Sequence, residues 1–198
     1  MPEDKKNRVT GYILAGGKSS RMGTDKGLMM FRGRAIIQHI IEQLQPAVGE
    51  LVIVSDNPAY SGLGLETIAD TIKDIGPAGG ISSALSHSKT EKNFILGCDT
   101  PFIRTAAIEF IIGQTSRAGI LLPVHEGRLE PLFGIYSKAC VTRWDEFIRQ
   151  GFLKLHELVT RFDLVRLETG TNPLFSEPFF VNINTPEDFE KALINTNL

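Results

Sequence analysis

Short, mainly apolar runs alternate along this chain with stretches whose apolar residues recur at helical spacing, and that alternation constrains the fold more than any other feature. A run without polar interruption suits a strand buried on both faces. Such strands separated by amphipathic helices give an α/β domain with a mostly parallel sheet between helical layers. The strand runs are about 10–15, 51–55, 65–69, 93–98, 120–123, 132–136 and 179–183. The helical stretches are 35–44, a segment following the glycine-rich turn at 76–80, 105–113, 142–150, 154–162 and 186–194. In the first of them Ile36, Ile37, Ile40, Ile41 and Leu44 form one face, and Pro46 ends it. With 198 residues and no repeat, low-complexity tract or linker, one three-layer α/β domain accounts for residues 1–198. Only the first eight residues, the last few and 170–178 read as loose.

Charge and composition remove several function classes. A formal net charge of −2 gives no basic excess to neutralise a nucleic-acid backbone, so no nucleic-acid partner is expected. Cys98 and Cys140 lack zinc-type spacing with each other or with His39, His87, His125 and His156. The polar stretch Met1 to Arg8 has no signal-peptide core, and no run is long enough to cross a membrane. A cytoplasmic protein with no membrane partner and no structural disulfide is expected. Trp144 and the Phe179-Phe180 pair read as core, and His39 as structural.

The chemistry concentrates where the first strand ends. Leu14-Ala15-Gly16-Gly17-Lys18-Ser19-Ser20-Arg21-Met22-Gly23-Thr24-Asp25-Lys26 places a glycine pair, two hydroxyls and the cations Lys18, Arg21 and Lys26 directly after a buried run. Glycines let the backbone approach a ligand closely. Exposed N–H groups with local positive charge suit a polyphosphate. The spacing is not that of a Walker A loop, whose first glycine would fall at Tyr12, and G-x-G-x-x-G is absent. The bland alternative is a glycine-rich turn with solvated cations. Asp99 follows another buried run, where a carboxylate can hold Mg²⁺ against phosphate oxygens or cap the turn before Pro101. Asn184 ends the last run. It is free to act while Thr185 caps the helix that Pro186 begins. In open α/β sheets ligands bind beyond the carboxyl ends of the strands, where all of these residues fall.

The first loop resembles the signature L-A-[GA]-G-x-S-x-R-M-G-x-x-K of nucleotidyltransferases. Further matching blocks follow in order: Ile68-Ala69-Asp70, Gly76-Pro77-Ala78-Gly79-Gly80, Cys98-Asp99-Thr100-Pro101-Phe102, and Val181-Asn182-Ile183-Asn184-Thr185-Pro186-Glu187-Asp188. The chain looks most like the molybdenum cofactor guanylyltransferases of the MobA-like family. That resemblance implies a Rossmann-like nucleotidyltransferase fold and transfer of GMP from GTP to the terminal phosphate of molybdopterin, with Mg²⁺ as cofactor. It also implies transient contact with molybdenum cofactor insertion proteins. It assigns Leu14, Ala15, Gly16, Gly17, Lys18, Asn57 and Asp70 to the nucleotide, and Lys26, Arg21 and Asp99 to catalysis. Asp99 and Asn184 are implied as metal ligands, and Gly79, Gly80, Asn182 and Asn184 as acceptor contacts. His125 is placed in a loop before a strand, facing the pterin. The Gly16-Gly17 pair gives L-A-G-G, the guanylyltransferase form, where related cytidylyltransferases often have L-A-A-G. One methyl decides only about 1–3 kcal/mol. The chain departs from the pattern at Glu130, in a segment where many members carry glutamine. It departs again at Leu153 and His156, where arginines are common, leaving Lys154 and His156 as cations for the pterin phosphate. The alternatives are transfer from CTP, another phosphorylated acceptor, a nucleotide-binding protein without catalysis, and a P-loop hydrolase.

Overall fold

The computed structural model describes residues 8–16, 25–114, 118–183 and 185–194. In chain order the strands are β1 (Val9–Leu14), β2 (Met30–Phe31), β3 (Arg34–Ala35), β4 (Glu50–Val54), β5 (Glu66–Ile68), β6 (Lys92–Gly97), β7 (Ile120–His125), β8 (Arg128–Leu129), β9 (Phe133–Ser137) and β10 (Leu164–Glu168). The α-helices are α1 (Ile36–Leu44), α2 (Pro77–His87), α3 (Thr105–Gly113), α4 (Val141–Arg149), α5 (Leu155–Val159) and α6 (Pro186–Ile194). An eight-stranded sheet runs in the order β10-β7-β9-β6-β1-β4-β5, with β8 added to β7, while β2 and β3 form a separate small hairpin. Strands β5, β4, β1 and β6 are parallel, as are β7 and β10. Only β8 and β9 run against their neighbours in this sheet.

The expected three layers follow from the two-residue alternation of strand side chains. Ile13, Ile53, Phe94, Leu96, Leu121 and Ile135 face one core, which α1 and α3 cover with Ile36, Ile37, Ile40, Ile108 and Ile111. Tyr12, Leu14, Val52, Val54, Ile95, Leu122 and Tyr136 face the other, covered by Ile81 and Leu85 of α2, Trp144 of α4 and Leu158 of α5. Trp144 is fully buried, and its Nε1–H donates to the Ala78 carbonyl at 3.0 Å, tying α4 to the first turn of α2.

Two expectations fail at the C-terminal end. Residues 179–183 are not a strand. Their backbone bonds close local turns, from Phe179 to Ser176 and from Val181 to Pro178, and Ile183 donates to the carbonyl of Asp99, in the loop that follows β6, at 2.8 Å. The apolar character there feeds ring packing: Phe179 and Phe180 both pack on Phe133 and Phe175. The last strand is instead β10, an edge strand whose Val165, Arg166 and Glu168 are exposed, so its sequence lacks a buried run. The helix expected at 154–162 shrinks to α5. His125 closes β7, with its ring centroid 4.7 Å from that of Phe180, rather than sitting in a loop before a strand.

Candidate active site

β6 lies between β1 and β9, and the chain leaves the sheet at Cys98, which delivers Asp99 to the carboxyl end of the parallel strands. A Cβ on Gly97 would stand 3.0 Å from Asp99 Oδ1, so glycine leaves room for the carboxylate to fold back over the strand end. Lys26 Nζ stands 3.8 Å from Asp99 Oδ2, with the two side chains only 19% and 23% exposed. Burial pushes the Asp99 carboxyl above its ordinary range, while Lys26 and the Asp99 backbone N–H pull it down. A cation here therefore favours the ionised form. Burial, aided by the Asp99 charge, pushes the neighbouring Cys98 thiol up to about 12, which keeps it protonated and a poor nucleophile.

Lys26 opens a 3-10 turn, Lys26–Leu28, that Asp25 caps. Asp25 Oδ1 accepts the Gly27 N–H at 3.1 Å and the Tyr60 hydroxyl, and Oδ2 accepts Asn57 Nδ2–H at 2.9 Å. Asn57 Oδ1 in turn accepts the Ala59 N–H at 3.0 Å. Asn57 therefore spends both ends of its amide on protein partners, although it borders the cavity as expected for a nucleotide contact. Asp25 and Tyr60 were not among the expected site residues. An Asp directly before Lys26 is a visible N-cap signal, but nothing in the sequence ties Tyr60 to it.

In front of Asp99 opens a cavity of about 650 Å³, of the size that holds a small-molecule ligand. Of the expected residues, Leu14, Ala15, Gly16, Lys26, Asn57, Asp70, Gly80 and Asp99 line it, joined by the unanticipated Asp56, Lys73 and Asp74. A Cβ on Gly16 would meet no protein atom within 4 Å. Asp70 Oδ1 accepts Ser83 Oγ–H and the Ile72 N–H, both at 3.0 Å, which fixes the loop after β5 over α2. Gly79 does not line the cavity. Its missing Cβ would lie 2.3 Å from the Ile72 carbonyl oxygen and 3.0 Å from both Asp70 carboxylate oxygens, so it serves the packing of that loop. Asn182 is exposed and also off the cavity wall, held near Asp99 by the Ile183 bond. Gly17, Lys18, Arg21 and Asn184 lie outside the described residues. The helix cap beside Asn184 is as expected: Thr185 Oγ1 accepts the Asp188 N–H at 3.1 Å, and Asp188 Oδ2 accepts the Thr185 N–H at 2.9 Å. Lys154 pairs with Glu157 at 3.3 Å on the surface, and His156 borders a second opening with Arg128 and Arg166.

The donor set suits Mg²⁺, which takes oxygen ligands and is commonly held by one or two carboxylates together with substrate phosphates. Asp99 offers such an oxygen, half-buried at a cavity wall, and the adjacent Lys26 can share phosphate charge with the ion.

The MobA-like NTP transferase domain model matches residues 11–162. The chain is 37% identical over 190 residues to a protein of Flavobacterium johnsoniae named probable molybdenum cofactor guanylyltransferase, covering 94% of this chain and 97% of that one. It is 33% identical over 181 residues to the molybdenum cofactor guanylyltransferase of Vibrio parahaemolyticus, covering 89% and 90%. The crystal structure of molybdopterin-guanine dinucleotide biosynthesis protein A from Archaeoglobus fulgidus superposes with a TM-score of 0.80 at 26% identity, covering 93% of this chain and 97% of that one. Fold and sequence thus agree, and the chain belongs to the MobA-like NTP transferase family.

Proposed function

We propose that this protein transfers GMP from GTP to the terminal phosphate of molybdopterin, releasing pyrophosphate and forming the guanine dinucleotide cofactor. One observation carries the reading: the Lys26 ammonium and the Asp99 carboxylate meet at 3.8 Å on the wall of a nucleotide-sized cavity at the carboxyl ends of β1, β4 and β6. The names of the relatives, at 30–37% identity over most of the chain, support guanylyl transfer to the molybdenum cofactor, and the name of the Archaeoglobus fulgidus protein supports molybdopterin.

An oxygen of the acceptor phosphate forms a bond to the α-phosphorus of GTP, and the bond from that phosphorus to the β-bridging oxygen breaks. The electron pair leaves with pyrophosphate. No covalent enzyme intermediate is needed, because positioning and charge stabilisation suffice for such displacements. Lys26 sits where negative charge accumulates on the α-phosphate oxygens and stabilises it. The backbone at Leu14, Ala15 and Gly16, with Asp70, holds the base and ribose; Gly17, Lys18 and Arg21 hold the triphosphate tail. Gly80 and Asn182 border the acceptor. Mg²⁺ held by Asp99 and Asn184 would supply neutralisation of the phosphate oxygens. The protein works in the cytoplasm and passes its product to cofactor-insertion proteins.

The test is label transfer. GTP labelled at the α-phosphate should pass its label to molybdopterin, and γ-labelled GTP should lose its label as pyrophosphate, in both cases only with Mg²⁺ present. Release of single phosphate instead would show hydrolysis and contradict the proposal, and transfer in chelator would remove the metal from it.

A further inference from the structure

Asp25, Tyr60, Asn57 and Gly27 form a hydrogen-bonded cluster that the reaction as written does not use. Tyr60 is fully buried, and burial together with its bond to Asp25 keeps its hydroxyl protonated, hence a permanent donor. It comes from the 3-10 segment Pro58–Leu63, after β4, whereas Asp25 and Lys26 follow β1. A Cβ on Gly27 would fall 2.5 Å from the Tyr60 oxygen, so glycine lets that hydroxyl pass over the turn to reach Asp25. The cluster continues to the strand ends: the Asn57 N–H donates to Ser55 Oγ at 3.1 Å, and Ser55 Oγ–H donates to the Ala15 carbonyl at 2.7 Å. The Asp25 carboxylate thus receives donors on both oxygens, one residue from Lys26.

We infer that Asp25 and Tyr60 are positioning residues for catalysis: they lock the Lys26–Leu28 turn so that the lysine ammonium stays against Asp99 and the reacting phosphate. A lysine has a flexible four-carbon stem and loses substantial rotamer freedom when fixed. Anchoring its backbone on both sides removes part of that loss before substrate arrives, and the benefit falls on the transition state, where Lys26 meets the developing charge. The clamp acts through Lys26 alone, and it rests on the guanylyl-transfer reading above for its catalytic consequence.

The test is a double-mutant cycle with Tyr60→Phe, which deletes one hydroxyl, and Lys26→Ala. Tyr60→Phe should lower kcat about tenfold and leave the KM for GTP within about twofold. In the Lys26→Ala background the same change should alter kcat by less than about twofold. Gly27→Ala, which displaces the hydroxyl from outside, should reproduce the pattern if Tyr60→Phe folds poorly. An equal tenfold loss in the Lys26→Ala background, a rise in KM at constant kcat, or no change would overturn the inference. A readout independent of turnover is the ¹³Cε resonance of Lys26, assigned by its loss in Lys26→Ala. Tyr60→Phe should move it toward the free-lysine position, and an unmoved resonance would contradict the clamp. If the wild-type protein transfers nothing from GTP, the function reading fails while this resonance still decides the clamp.

Discussion

The two sides of the Asp99 region are built differently. On the proposed nucleotide side, hydrogen bonds join the loops after β1 and β4, Ser55 to Ala15 and Asn57 to Asp25, and tie the loop after β5 to α2, Ser83 to Asp70. On the acceptor side, the β7–β8 hairpin and the segment leading to α6 are held by rings, Phe133, Phe175, Phe179 and Phe180, while Asn182, Glu126 and Arg128 stand exposed. Hydrogen bonds have fixed direction and hold donors and charges at set points. Ring packing fills volume and tolerates variation. On the proposed nucleotide side, directional hydrogen bonds therefore set where Asp25, and with it the Lys26 turn, stands. The proposed acceptor side instead sets exposed polar side chains on a ring-packed base.

That contrast sets an order of effects. Lys26→Ala should lower kcat about 10²–10³-fold, the scale of losing one preorganised charge stabiliser, with a small change in GTP affinity; steady-state kinetics would show it, and a loss confined to KM would mean the lysine only binds. Gly79→Ala should cost about 1–3 kcal/mol of stability, because the new methyl meets the Ile72 carbonyl and Asp70 rather than a flexible side chain. An unchanged denaturation midpoint would show that the loop after β5 yields easily.

Glu130 tests the acceptor side through pH. Burial first, then the Asp99 charge, push its carboxyl up to about 7, with Arg128 pulling the other way. A carboxyl raised by folding binds its proton more tightly in the native state, so its favourable contribution is complete below the ordinary range near 4.5 and is lost as pH rises through about 7. Glu130→Gln should therefore gain stability relative to wild type between pH 5 and pH 8, by about 1–2 kcal/mol after solvent screening of a half-exposed site. Denaturant titrations of the metal-free protein at both pH values would measure it; a constant difference would place the carboxyl's titration elsewhere. Asn182→Ala should do least, raising the acceptor KM about three- to tenfold and leaving the KM for GTP alone, as for one exposed hydrogen bond.

Much of the nucleotide side was legible in the sequence because its residues follow buried runs. Leu14 and Asp99 each sit at the end of such a run, and Asp70 follows the half-exposed strand β5, so the strand rule places them together without knowledge of the fold. Tyr60 and Gly27 were not legible, since their meeting depends on two loops converging from different strands. Gly79 carried a signal of close approach, a glycine at a helix start, and the backbone approach seen at it is to the loop after β5. The C-terminal strand was misplaced for a related reason. An apolar run such as Phe179 to Ile183 reports burial, and burial in ring packing looks the same in sequence as burial in a sheet. The edge strand β10, with charges facing solvent, gave no such run.

In the proposed reaction Asp99 and Lys26 together organise guanylyl transfer in this cavity. The most direct measurement is pyrophosphate release with Mg²⁺ and molybdopterin, run with GTP and with CTP, for the wild-type protein and for Asp99→Ala. Release with GTP but not CTP, lost in Asp99→Ala, is the predicted result. Release from CTP alone, or release from GTP that survives Asp99→Ala, would contradict it.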